Sequence, residues 1–197
     1  MKSYKLFILF ILFISQLVGC APSAIIGIPS SILDRRTSEN QIIDKQIFLA
    51  SWSPIQKLVE NEIQKSHYNL ISYNRAILIV GEVPTEEIKN KITEVLSKIK
   101  DVKTVHNKMI IGEACNIKQR AKDTITTSNI KTRLFLEIKN EVHPLHVKIM
   151  TENNTVYLVG ILNEKEADEA IKIAKSSKGV SLVVPLFELD ASVKNKY

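Results

Sequence analysis

The hydrophobic and polar positions of this chain fall into two similar halves. Ile77-Leu78-Ile79-Val80-Gly81 returns 79 residues later as Val156-Tyr157-Leu158-Val159-Gly160. Each run is preceded by a polar turn, Tyr73-Asn74-Arg75 or Glu152-Asn153-Asn154. Each is followed by an acidic helix start, Pro84-Thr85-Glu86-Glu87 or Asn163-Glu164-Lys165-Glu166. A valine-rich segment closes each half, Val102 to Ile111 and Val180 to Leu189, where the offset has become 78. Self-similarity in this order marks two copies of one structural unit.

In the first copy, Ser53 followed by Pro54 predicts a helix start, because proline suits the first helical position. Ile55, Val59 and Ile63 then recur on one face. Tyr68 to Tyr73 and Ala76 to Val83 predict a pair of strands. Thr85 to about Lys100 predicts a helix with Ile88, Ile92, Val95, Leu96 and Ile99 on one stripe, and Val102 to Ile111 the last strand. The second copy repeats the order. It has a helix from about Thr126 to Asn140 and strands at about Val147 to Thr151 and Thr155 to Leu162. A helix follows with Asn163 as N-cap and Glu166 three residues on, close to a capping box. Its stripe is Ala167, Ala170, Ile171 and Ala174. The expected fold is therefore α+β: two tandem units, each helix-strand-strand-helix-strand with two helices on a three-stranded mixed sheet. Units this small are marginal alone, so the two copies are expected to pack together.

The N-terminus breaks this pattern. Lys2 and Lys5 precede nine apolar residues, Leu6 to Ile14. Such a run falls short of the roughly 20 residues a membrane span needs. A basic start, a short apolar core and small residues at its end predict a secretory signal peptide over 1–19. Leu17-Val18-Gly19-Cys20 resembles a bacterial lipobox, which implies cleavage before Cys20 and acylation, palmitate included, of that residue. Several acyl chains on one residue give durable anchoring where one gives marginal binding. By the same resemblance, Ala21 after the cysteine implies the outer membrane. Residues 20–43 hold Pro22, Pro29 and several serines with little periodicity, and are expected to form an extended tether. The expected divisions are then 44–113 for the first domain, 114–122 for a linker, 123–190 for the second domain and 191–197 for a tail.

Charge and candidate chemistry narrow the function. The whole chain carries +6; loss of Lys2 and Lys5 with the signal peptide leaves about +4, spread without a cationic run. That suits an anionic lipid surface and gives no nucleic-acid arm. With Cys20 committed to lipid, Cys115 is the one remaining thiol, so no internal disulfide framework forms. His143-Pro144-Leu145-His146 has a metal-like spacing, but Pro144 makes it a loop and no cysteine or acid pair completes it; a structural site needs about four ligands. There is no Gly-x-Ser-x-Gly elbow and no phosphate-binding glycine loop. The acids at the helix starts favour the helix dipole. Neither an enzyme, a cofactor, a metal site nor a small-molecule substrate is expected.

The first helix of the second copy is the candidate binding surface. Ile130, Leu134 and Ile138 fall on one side and should face the sheet. Ile125, Phe135 and Leu136 fall roughly opposite, beside Ser128, Thr132 and Lys139, with Lys131 and Arg133 adding positive charge. An apolar patch with cations can dip into a lipid headgroup layer. It can equally pack against the first copy, and the residues alone leave both readings open.

The order of elements resembles the BON domain. Two in tandem behind a lipobox are similar to the dual-BON outer-membrane lipoproteins, the division- and outer-membrane-stress-associated lipid-binding family. Asp34-Arg35-Arg36-Thr37, with Gln41 and Asp44 beyond, is similar to the segment before that family's first domain. Gly112-Glu113-Ala114 resembles its linker, and Asp123-Thr124-Ile125-Thr126-Thr127 leading to Ile130, Leu134 and Phe135 resembles its second-domain helix. Asp101-Val102 departs from the family's Gly-Val, which Gly179-Val180 keeps; aspartate tolerates a left-handed turn. The resemblance implies binding of anionic, phosphatidylglycerol-like phospholipid through this helix, with Ile125 at a position the family fills with tryptophan and Phe135 at one it fills with leucine. Ile125, Phe135 and Leu136 would then insert, while Ser128, Lys131, Thr132, Arg133 and Lys139 meet the headgroups. The alternative expectation is a structural adaptor contacting the outer-membrane protein assembly machinery or cell-wall factors.

Overall fold

The structure, a computed structural model, describes residues 34–60, 66–136 and 142–193. The signal peptide, Cys20, most of the expected tether, Ile63, Ile138 and Lys139 lie outside the described residues. No helix among the described residues is long and apolar enough to cross a membrane.

The elements run α1 (Ser38–Val59), β1 (His67–Tyr73), β2 (Ala76–Val83), α2 (Glu86–Ser97), β3 (Thr104–Asn107), β4 (Ile110–Ile111), α3 (Ile117–Leu136), a 3₁₀ turn (Pro144–His146), β5 (Val147–Glu152), β6 (Thr155–Leu162), α4 (Glu164–Lys175) and β7 (Leu182–Leu189). In each half a hairpin forms the antiparallel part of the sheet, and the last strand returns after a helix to lie parallel to the middle one. The first half divides its last strand: β3 and β4 both pair with β2, and at the break the side chain of Asn107, the last residue of β3, turns toward α2. Its side-chain oxygen accepts the Met109 N–H (3.0 Å), and its amide donates to Lys89 O and Thr93 Oγ1. The fold class is α+β with mixed sheets, as the sequence pattern predicts.

Two helix starts differ from the prediction. The first helix begins at Ser38, not Ser53. Thr37 caps it by accepting the Asn40 N–H (3.1 Å), and Pro54 lies inside it rather than at its start. Proline lacks the N–H that the Ala50 carbonyl would otherwise accept, and the tertiary packing of Ile47, Ile55 and Val59 carries the helix through. Residues 34–43 are therefore folded, not tether. Likewise α3 begins at Ile117, nine residues before the expected Thr126 and inside the expected linker 114–122. The Asn116 side chain accepts the Gln119 N–H (3.0 Å), so Asn116 and Gln119 stand where Thr37 and Asn40 stand in the first half.

The middle strands explain how the halves combine. In β2, Ile77, Ile79 and Val83 face α1 and α2, while in β6 Val156, Leu158 and Leu162 face α3 and α4. The alternate residues, Leu78 and Val80 of β2 and Tyr157, Val159 and Ile161 of β6, meet one another in a third apolar cluster with Tyr73. The two sheets thus pack face to face, and the helices form the outer layers. A strand buried on both faces reads as a continuous apolar run rather than an alternating one, which is what 77–80 and 156–159 show.

The segment before α1 ties the halves together. Arg35 forms a two-pronged ion pair with Glu166 of α4, both oxygens at 2.6 Å, and donates to the Ile161 carbonyl (2.8 Å). Glu166 is fully buried, and it also completes the capping box with Asn163. Arg36 turns back into its own half, pairing with Asp34 and Asp44 and stacking over the Tyr73 ring at 4.4 Å.

Candidate functional site

The exposed face of α3 starts from its wheel. Ile130 and Leu134 are buried against the sheet, as their spacing predicts. Ile125, Phe135 and Leu136 stay 60, 49 and 67 % exposed on the far side. Because the domain interface is made sheet to sheet, the first half does not cover them. Ser128, Lys131 and Thr132 are exposed among them. The earlier helix start extends the face. Ile117 is exposed at its head, Ala121 continues the row one turn before Ile125, and Lys118 and Lys122 flank it. Twenty residues at 1.5 Å each make this stripe about 30 Å long. Reading Asn116-x-x-Gln119 as a cap would have revealed Ile117, Ala121, Lys118 and Lys122 in the sequence.

Arg133 departs from its expected place among the headgroup contacts. Its guanidinium donates to the Ile173 carbonyl (2.8 Å), Ser176 Oγ (3.0 Å) and Ser177 Oγ (2.7 Å). It therefore serves the C-terminal end of α4, where orphan carbonyls and the helix dipole favour a cation.

A second exposed apolar stripe runs along α1, through Ile42, Phe48, Leu49 and Trp52, the last two 72 and 59 % exposed. The sequence pattern does not show it when the helix is started at Ser53. α1 and α3 belong to opposite outer layers. Three layer spacings of about 10 Å put them roughly 30 Å apart.

A polar seam lies between the halves at the hairpin ends. Glu82 and Glu152 are buried there. Glu82 accepts from the Asn153 side-chain amide and from Cys115 N (3.0 Å), and Glu152 from Asn69 Nδ2 (2.9 Å) and Cys115 Sγ (3.4 Å). His67 Nε2 stands 3.6 Å from Glu152 Oε2. The donor atoms of His67, Cys115 and Glu152 all lie within 4.8 Å of one another. Burial pushes the Cys115 thiol up to about 11, with Glu82 and Glu152 adding to the rise against a hydrogen bond from Arg120. The residue is thus a thiol rather than a nucleophilic thiolate. Burial likewise raises the Glu152 carboxyl, against the Asn69 amide, with Glu82 adding to the rise.

The His143–His146 motif forms a 3₁₀ turn. His143 Nδ1 accepts the Leu145 N–H, and the two rings tilt together at 5.1 Å. His146 is buried with Nδ1 4.0 Å from Glu166 Oε1. Among the described residues, neither histidine joins a group of three possible metal ligands.

Comparison with known proteins places this geometry. The BON domain family model matches twice, over residues 53–113 and 122–191. The chain is 28 % identical over 178 residues to the outer membrane lipoprotein DolP of Haemophilus influenzae, covering 87 % of this chain and 89 % of that one. It is 29 % identical over 121 residues to a 21 kDa hemolysin of Actinobacillus pleuropneumoniae, 61 % of each chain. It is 28 % identical over 130 residues to the osmotically-inducible protein Y of Escherichia coli, 64 % of each.

Proposed function

This chain belongs to the BON-domain family, and from that premise we propose that it is an outer-membrane lipoprotein, anchored through Cys20 and facing the periplasm, that binds anionic phospholipid through the first helix of its second domain. In doing so it supports the integrity of the outer membrane, including at the division site. The relative named as an outer membrane lipoprotein and the basic, apolar leader with its Leu-Val-Gly-Cys end support the address. The observation that carries the binding is the uncovered stripe of α3: Ile117, Ile125, Phe135 and Leu136 exposed in line, with Lys118, Lys122 and Lys131 beside them. An amphipathic helix of this kind lies in the interface plane with its apolar face about 5–10 Å deep. Each lysine near an anionic surface adds about 1 kcal/mol. Ser128 and Thr132 offer hydroxyls at headgroup level.

The test uses the soluble form beginning at Ala21 and co-sedimentation with phosphatidylglycerol or phosphatidylcholine vesicles. Binding to the anionic vesicles alone is expected, weakening as salt is raised. Phe135→Asp, with its fold intact, is expected to lower it at least about tenfold; unchanged binding refutes the reading. A second reading, a structural adaptor for the outer-membrane assembly machinery or cell-wall factors, is favoured by the α1 stripe of Phe48, Leu49 and Trp52. In that case the chain ignores both kinds of vesicle, and Leu49→Asp removes a cross-linked protein partner in cells.

A further inference from the structure

We propose that His67 Nε2, Cys115 Sγ and a carboxylate oxygen of Glu152 form a binding site for a zinc-class divalent cation at the seam between the two domains. The three ligands come from three places: β1 of the first domain, the segment before α3, and the end of β5 in the second domain. Their atoms lie within 4.8 Å of one another. Cys115 Sγ stands 3.4 Å from Glu152 Oε1 and His67 Nε2 stands 3.6 Å from Glu152 Oε2, so each donor already touches one of the two oxygens of the carboxylate. A tetrahedral zinc ion with bonds of about 2.0–2.3 Å has ligand-to-ligand edges of about 3.3–3.8 Å. The widest gap therefore needs about 1 Å of closure, within reach of a side-chain rotation.

The charge of the seam points the same way. Glu82 and Glu152 are both buried, and among the described residues no lysine or arginine pairs with either. Their donors are amides, a backbone N–H and a thiol. Arg120 lies alongside and serves Cys115, its Nε donating to the Cys115 carbonyl at 3.0 Å and its guanidinium to the thiol, and among the described residues it forms no ion pair with either carboxylate. Buried carboxylates served by neutral donors leave charge uncompensated, and a divalent ion supplies it. Imidazole, thiolate and carboxylate together suit a borderline-soft ion of the zinc class over calcium or magnesium, which prefer oxygen ligands. Glu82, held by Cys115 N, sits behind the ligands as a supporting anion. Binding exchanges the Cys115 thiol proton for the metal and releases that proton to solvent. The entry path is open. His67 and Cys115 keep part of their surface in solvent, 18 % for the His67 side chain, and the amide of the exposed Asn69, which now bridges His67 (3.2 Å) and Glu152, can turn outward. Once filled, the site would clip the two domains together at the end opposite the Arg35–Glu166 pair.

The experiment takes the full chain in detergent, carrying Cys20→Ser so that Cys115 is its one thiol, and titrates zinc against a chelating dye. The expected result is one ion per chain and a higher unfolding temperature with zinc present. Cobalt in place of zinc gives a near-ultraviolet thiolate-to-metal band. His67→Ala, Cys115→Ser and Glu152→Gln each weaken zinc binding at least about tenfold, and Cys115→Ser abolishes the cobalt band. His106→Ala, at a histidine outside the seam, changes neither. The near-isosteric Cys115→Ser keeps the test clear of misfolding, which circular dichroism checks. The proposal is overturned if no stoichiometric binding occurs, or if any one of the three ligand substitutions leaves the affinity unchanged.

Discussion

Asp44 and Asp123 occupy one position in the two copies and do one job. Asp44 accepts the N–H groups of Asn74 and Arg75, both at 2.7 Å, and Asp123 those of Asn153 and Asn154, both at 3.0 Å. These four turn residues all have positive φ, between 48° and 69°, the signature of the type I′ hairpin whose twist suits paired strands. An asparagine at 123 can accept one of the two N–H groups but presents its own amide to the other. Asp123→Asn is therefore expected to cost about 1–3 kcal/mol, read as a lower denaturation midpoint with an unchanged denaturant slope. The glycines of the repeat have an equally local cause. A Cβ on Gly81 would stand 2.0 Å from the His67 carbonyl oxygen, and one on Gly160 2.4 Å from that of His146. Asp101 stands in for glycine with φ of 70°, held by Arg75 at 2.6 Å and matched by Gly179 at 87° in the other copy.

At the scale of elements, the strands were legible and so were the buried faces of the first helices, but the starts of those helices were not. β2 and β6 lie where the apolar runs put them, because a strand buried on both faces needs no partner to be recognised. The starts of α1 and α3 were hidden by two local signals that tertiary packing overrides: Pro54, which mimics a helix start, and the polar stretch 116–124, whose buried side is carried by Asp123 rather than an apolar residue. The exposed stripe was half legible in consequence, from Ile125 onward. The same element view separates two cations that lie close in sequence. Arg133 holds the end of α4, so Arg133→Met is expected to lower stability by about 1–3 kcal/mol and leave vesicle affinity unchanged. Lys131 is exposed on α3, so Lys131→Met is expected to spare stability and weaken vesicle binding several-fold. Parallel denaturant and co-sedimentation curves check the pair.

The described residues form a four-layer sandwich whose two halves are joined through a shared cluster. Its central cluster needs both sheets, and Arg35 reaches from before the first domain to a glutamate buried in the second. No sequence pattern announces that pair, since its partners are 131 residues apart. Removing one partner of a buried ion pair strands the other, at about 3–5 kcal/mol. Arg35→Met is therefore expected to lower stability by that order and to split a single calorimetric transition into two as the domains uncouple; one unshifted transition would contradict this.

The layering also decides how the protein can meet a membrane, because α1 and α3 form opposite faces and a bilayer docked on one leaves the other in water. Trp52 is the single tryptophan of the chain, and it stands exposed on α1. The most direct measurement is its fluorescence as the soluble form from Ala21 is titrated with phosphatidylglycerol vesicles, with bound protein followed in parallel by co-sedimentation. Docking through the second-domain helix predicts saturable binding while the Trp52 emission keeps the wavelength of a water-exposed indole. A blue shift that grows with the bound fraction would place α1 in the lipid instead and contradict the account.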